Sequence, residues 1–311
     1  MSGATLVHAQ QGPYPNRPIR LVVPAAPGGG TDILARQISK KLSEQLGQPV
    51  VIENKAGAGG IVGSEQVARA APDGYTLLIG TVAAFGMAPS LMKSMPFDPV
   101  KDFSHITQGV IVTNVLVVHP SVKANSVQEF LALARAQPGV LNYSTSGVGS
   151  GAFMAGELFS QMGQVDITHV PYKGGGLAVA GLVSGHVQFS FATAPSVIPL
   201  IQAGRLKALA VTSTERFAYL ADTPTLSETI MPGFEASNWY AFFAPANTPK
   251  PIVDRLNKEL GKVLADPEIA KVLLEQGMQP TPSTSEGLQA FVQQEVLKWA
   301  ALVKARGIAP E

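Results

Sequence analysis

The stretch IRLVVPAAPGGGTDILARQISKKL (Ile19–Leu42) passes from an apolar run through three glycines straight into a helical pattern. Ile19–Val23 reads as a short buried strand, while Leu34, Ile38, Leu42 and Leu46 recur at helical spacing. The helix is therefore predicted to start near Thr31, with Thr31 or Asp32 as its cap. Glycine lets a backbone pass close to another body, and a helix start aims unpaired N–H groups and a positive dipole end at whatever lies there. Gly28, Gly29 and Gly30 thus fit two accounts: an ordinary turn that needs glycine for its backbone angles, or a seat for an anion.

The same alternation continues outward. Pro49–Asn54 is a strand, KAGAGGIVGSEQVARAA (residues 55–71) opens a second helix, and Thr76–Gly80 is a third strand. Val115–Val118, Leu141–Ser144, Thr168–Val170, Val187–Phe191, Leu206–Val211 and Trp239–Ala244 read as further short strands, with helices at Val127–Ala136 and Phe153–Met162. From Pro249 to Arg306 the pattern is almost wholly helical, with Pro251 near one helix start and Asp266-Pro267 separating two helices. Strands alternating with helices imply parallel sheet covered on both faces, and 311 residues are too many for one core. The expectation is two α/β lobes, the first made of residues 18–111 and 238–311 and the second of residues 112–237. Hinges fall near Gly109–Asn114 and Gly233–Asn238.

Composition removes several classes. The 23 Lys and Arg against 22 Asp and Glu leave no basic stripe for nucleic acid. Tyr75–Met92 and Gly174–Gly204 are free of Asp, Glu, Lys and Arg, but Gly and Pro interrupt both, so neither is expected to span a membrane. The absence of cysteine excludes a thiol nucleophile and a cysteine metal site. Residues 1–17 read as a disordered end or the remnant of an export signal, on the small-x-small step Val7-His8-Ala9.

Two more glycine-rich junctions follow. STSGVGSGAF (residues 144–153) matches G-x-G-x-x-A at Gly147, Gly149 and Ala152, yet Asp166 precedes the next apolar step instead of ending it, as a dinucleotide site requires. PYKGGGLAVAGLV (residues 171–183) puts Lys173 ahead of Gly174, Gly175 and Gly176 without a phosphate-loop pattern; Lys173 is an anion partner, a Schiff-base nucleophile or a solvated lysine. The five histidines show no metal-protease spacing, and no G-x-S-x-G elbow is present. Asp98 and Asp102 read as turn residues around a proline, Trp299 as core and Trp239 as a candidate for the cleft.

Glycine turns without catalytic partners describe a binder of small anions. In YPNRPIRLVVPAAPGGGTDILAR, VIENKAGAGGIVGSEQVARAAPDGYTLL, VPYKGGG, AGRLKALAVTS and DTPTLSE…PGFEASNWYAFFAPANTPKPIVDRLN the chain resembles the Bug-type substrate-binding proteins of tripartite tricarboxylate transporters, over nearly its whole length. The resemblance implies a two-lobed type II periplasmic-binding-protein fold, each lobe a mostly parallel sheet flanked by helices. It implies a periplasmic, non-catalytic, monomeric receptor without cofactor or metal, which hands a small carboxylate to membrane permease subunits. The cleft would be lined by Pro27, Gly28, Gly29, Gly30, Thr31, Asp32, Thr81, Ala83 and Phe85 from one lobe. Ser146, Gly147, Gly149, Ser150, Phe153, Lys173, Gly174, Gly175 and Thr193 would line it from the other. Two departures stand out. Phe153 replaces a histidine common in the helix start GS-x-x-H-L-A-G-E-L, and Ala192 replaces an acid common after Q-x-x-F. Both favour an aromatic or long-chain carboxylate without an amine. An α/β enzyme acting on a carboxylated or phosphorylated molecule, and a sensory binding protein, are the competing readings.

Overall fold

The computed structural model describes residues 14–25, 27–28, 30–172 and 174–310. The chain begins with β1 (Ile19–Val23), α1 (Gly30–Leu46), β2 (Val50–Asn54), α2 (Ile61–Ala68), β3 (Thr76–Thr81), α3 (Ala88–Leu91) and β4 (Phe103–Val112). It crosses over into β5 (Asn114–Val118), α4 (Val127–Ala136), β6 (Asn142–Thr145), α5 (Gly151–Gly163), β7 (Thr168–Pro171) and α6 (Gly175–Val183). There follow β8 (Phe189–Thr193), α7 (Ala194–Gln202), β9 (Lys207–Val211) and α8 (Leu226–Thr229). The return brings β10 (Asn238–Pro245), α9 (Lys250–Leu264), α10 (Pro267–Glu275), β11 (Met278–Pro280) and α11 (Ser285–Arg306).

The described residues form two sheets, one per lobe, ordered β11-β4-β10-β3-β1-β2 and β7-β6-β8-β5-β9. Among the described residues, parallel ladders between strands are confined to the βαβ units, β2-β1-β3 and β7-β6-β8. The strands on either side of the crossovers, β4, β5 and β10, pair antiparallel, so each sheet is mixed where mostly parallel sheets were expected. The reason is topological: a strand that enters from the other lobe has no crossover helix of its own to set it parallel.

β1 and β5 are buried along nearly their whole length, as strands covered on both faces must be. Against the first sheet, Leu34, Ile38 and Leu42 of α1 and Leu256, Leu260 and Val263 of α9 close one core. The second lobe has its own outer core around Val115, Leu182, Val197 and Val211. A third cluster runs through both lobes, from Phe85, Phe103, Phe243 and Trp299 to Met154, Phe159, Phe189 and Phe130, bridged where α11 packs on α5.

Two elements escaped the pattern. β4 carries His105 and Thr107 buried within it, which breaks any alternation. β11 is only three residues long and edges the sheet inside a segment read as helical, Met278 to Pro280 pairing with Val112 to Val110.

Candidate ligand-binding cleft

The carboxyl ends of the parallel strands meet at the crossovers. Thr81, which ends β3, pairs with Tyr240, and Asn238 of that same strand pairs with Val112. Thr193, which ends β8, pairs with Asn114, and the Ala194 amide donates to the Thr113 carbonyl at 2.9 Å. The loops that leave both sheets therefore face one another across residues 112–114 and 236–238, the place where open α/β sheets bind ligands. A cavity of about 320 Å³ lies between loops of the two lobes, lined by Ala58, Gly59, Ile61 and Ala83 of the first and Val148 and Gly149 of the second.

In the first lobe, Gly28 has φ 84° and no neighbour within 4 Å of where a side chain would begin, and it is exposed together with Pro27. Gly30 starts α1 under the Tyr240 ring, with the phenol oxygen 2.5 Å from the position of a Cβ. The buried Thr31 hydroxyl finds no partner among the described residues. Gly29 lies outside the described residues.

Asp32 does not serve the cleft, contrary to expectation. Its carboxylate accepts from the Gly28 amide at 2.9 Å, the Asn54 amide at 2.9 Å and the Arg36 guanidinium at 2.8 and 3.1 Å. It is 1% exposed, and the Arg36 bond above all, against the opposing cost of burial, holds its carboxyl down at about 2. Its work is to fold the glycine loop back onto the helix start. Thr81 ends its strand and accepts from the Ala84 amide at 3.4 Å, and Ala83 reaches the cavity. Phe85 does not: fully buried, it stacks on Phe243 at 4.2 Å within the core, so that expectation is also corrected.

In the second lobe, Thr145 Oγ1 accepts from the Gly147 amide at 3.0 Å, and Gly147 and Gly149 take φ 118° and 76°. Between Thr145 and Gly147 the loop exposes Ser146, whose hydroxyl makes no hydrogen bond among the described residues. Ser150 caps α5, accepting from the Phe153 amide at 3.2 Å and donating to the Gly147 carbonyl at 2.6 Å. Phe153 is 6% exposed and packs inward on His169 at 4.8 Å, which in turn sits 2.6 Å from Thr145 Oγ1. It supports the loop from behind and does not face the cavity, a correction to its expected place. Burial holds the His169 imidazole below its ordinary pKa, against the pull of Glu157.

Gly174, at φ 119°, and Gly175 open α6 into free space, while Lys173 lies outside the described residues. Thr193 stands at the start of α7 with its hydroxyl on Ser196 at 3.2 Å, and it is not among the residues around the cavity.

Sequence reading missed the turn at Gly57–Gly60. Its residues Ala58, Gly59 and Gly60 all have positive φ and hold Ala58 and Gly59 against the cavity. The signal was present, since KAGAGG is a glycine-rich strand-to-helix junction like the other three. Asp166, by contrast, lies at the opposite end of its sheet, beside Gly139, which rules out the dinucleotide arrangement.

Among the described residues no Lys, Arg, His, Asp or Glu lines this cavity, no group of His, Asp and Glu is set to hold a metal, and no helix is long and apolar enough to cross a membrane. The polar groups at the cavity are those of the backbone, at the α2 helix start and in the Gly147–Ser150 turn ahead of α5, around walls made of Ile61, Ala83, Leu91 and Val148. Such a site holds an anion at a polar end and an apolar body beside it.

Residues 34–308 match the model of the tripartite tricarboxylate transporter family receptor. The chain is 36% identical over 295 residues to protein BugT of Bordetella pertussis, which covers 94% of this chain and 90% of BugT. Among solved structures it superposes with a TM-score of 0.86 on an R. palustris protein with adipate, at 36% identity over 96% of this chain and 100% of the other. It superposes on MatC from Rhodopseudomonas palustris with bound malate at 0.80, with 32% identity over 93% and 100%. The periplasmic binding protein BugD gives 0.82 at 36% identity over 96% and 100%.

Proposed function

Because the chain belongs to the tripartite tricarboxylate transporter family of receptors, we propose that it works in the periplasm, capturing a small carboxylate with an extended apolar body and passing it to membrane permease subunits. It is a binding protein, not an enzyme. The observation that carries the ligand class is the cavity between the lobes, whose walls are apolar and whose donors are helix starts from both sides. Adipate, held by one neighbour, has that shape, four methylenes between two carboxylates; malate, held by another, carries a hydroxyl on a shorter chain. On this reading residues 18–111 with 238–311, and residues 112–237, are the bodies that close on the ligand. Gly28, Thr31, Thr81 and Ala83 face Ser146, Gly147, Gly149, Gly174 and Gly175 across it.

A melting-temperature panel tests it. Ligand that binds only the folded form stabilises by about 2.7 kcal/mol at a hundredfold excess over Kd. Adipate and aromatic carboxylates are expected to raise the melting temperature more than malate or citrate at equal concentration. A shift with NAD or ATP and none with any carboxylate overturns the proposal.

A further inference from the structure

A second cavity, of about 660 Å³, shares no lining residue with the cleft. It reaches both lobes. Phe291 and Lys298 of α11 border it from the first, Leu158 of α5 and Glu215 from the second, and Trp239 from the crossover strand. Trp239 and Phe291 meet edge to face at 5.3 Å and form an aromatic wall.

Unlike the cleft cavity, which no charged side chain lines, this recess is acidic. Glu215, Glu235 and Glu295 line it against a single Lys298, whose ammonium already bonds both Glu235 and Glu295. Glu295 is further occupied by the two indole N–H groups, of Trp239 at 2.9 Å and Trp299 at 3.0 Å, so the aromatic wall is fixed in place. Glu215 is exposed and makes no ion pair among the described residues. Two hydroxyls at the cavity are also unspent. Ser237 is 4% exposed and Thr281 is half-buried, and neither oxygen has a hydrogen-bond partner among the described residues. Buried hydroxyls left unpaired in a polar, roomy recess are costly unless something reaches them.

We propose that this recess is a second binding site, for an organic amine with an aromatic body. The ring lies against Trp239, Phe291 and Leu158. The ammonium turns toward Glu215 and Glu235. Three carboxylates against one shared ammonium repel a second anion and attract a cation, so the site rejects the carboxylates that suit the cleft. Because its walls come from both lobes, an amine bound there contacts the two bodies at once, the condition for coupling to the cleft.

Calorimetric titration of the full chain with phenethylamine, beside the neutral 2-phenylethanol, tests the charge requirement. The amine is expected to bind at least about tenfold tighter than the alcohol. Gln294→Trp, at an exposed helix position on the rim, fills the recess and is expected to weaken the amine at least about tenfold while the melting temperature stays within a few degrees. Indole emission gives a reading that needs no variant, since Trp239 forms the wall and Trp299 shares its carboxylate, and it should change with saturating phenethylamine. Absence of amine binding, equal binding of the alcohol, undiminished affinity in Gln294→Trp, or unaltered indole emission overturns the proposal.

Discussion

At Ser146 and Asp32 the same kind of loop assigns opposite duties to two small polar residues. Ser146 is exposed, its hydroxyl without a partner among the described residues, and it is placed between a strand end and a helix start that lends its dipole. Ser146→Ala is expected to weaken adipate binding by about 1.5–3 kcal/mol, and Ser146→Asp by more, with unchanged melting temperature, as read by calorimetry and thermal melts. Retained affinity in Ser146→Asp would remove the residue from the site. Asp32 instead spends its carboxylate on Gly28, Asn54 and Arg36. Its pKa is depressed to about 2 in the folded chain, so it contributes stability that is full above about 4 and is lost as pH falls from there toward 2. Discounted for the solvent around Arg36, that contribution is about 1–2 kcal/mol. Asp32→Asn is expected to lower stability at pH 7 and to flatten the acid limb between pH 4 and 2; an unaltered limb rejects the assignment. The sequence could place Asp32 at the helix start, but a carboxylate that caps its own loop and one that faces a ligand occupy the same motif. Only the direction of the side chain separates them, and direction is set by Asn54, twenty-two residues away.

The element that meets the crossover is α5, and its first residue decides how closely it can approach. A Cβ on Gly151 would collide with the Asn238 amide, whose nitrogen donates to Asn114 at 3.1 Å. Gly151→Ala must therefore push the helix start and the Gly147–Ser150 turn away from the crossover strands. The expected cost is about 1–3 kcal/mol in denaturant titrations, with weaker adipate binding. Gly261→Ala, in open space within α9, should instead stabilise by about 0.5–1 kcal/mol, and a comparable loss at both positions would show that packing is not the cause. Elements with a clean period were legible: α1, α4, α9 and the Asp266 cap of α10 fall where spacing puts them. β4 was not, because Thr107 bonds the Ser283 loop and His105 is buried against Phe243, so partners distant in sequence set which of its residues point inward. The turn Ala83–Met87, wound as a π-helix, was equally hidden, since its period is neither that of an α-helix nor that of a strand.

At the scale of whole lobes, strand patterns break near residues 112 and 237, where the chain passes between the two sheets, but the amount of motion such breaks permit is not legible in them. Two crossovers suggest loose hinges; the apolar cluster running from Phe243 and Trp299 through α11 and α5 to Phe159 argues for a restrained one. Arg306 bonds Glu157 at 2.8 Å across the same seam, and Asn114 ties the crossovers to each other through Asn238 and the Ala236 carbonyl. Opening that tore this cluster apart would expose large aromatics, at about 25 cal/mol for each Å² of apolar surface, which the binding of one small carboxylate does not offset. On the proposed reading, closure turns about the crossovers while α5 and α11 stay packed. Small-angle scattering is expected to show a modest contraction with saturating adipate. Hydrogen exchange should localise it: amides of the Gly57–Gly60 and Gly147–Ser150 turns gain protection, and those of α5 facing α11 remain equally slow in both states. Contraction accompanied by faster exchange in α5 would move the hinge into the cluster. Proven binding without contraction would mean that the cleft accepts its ligand as it stands, since a ligand shifts such an equilibrium only by its differential affinity for the two states.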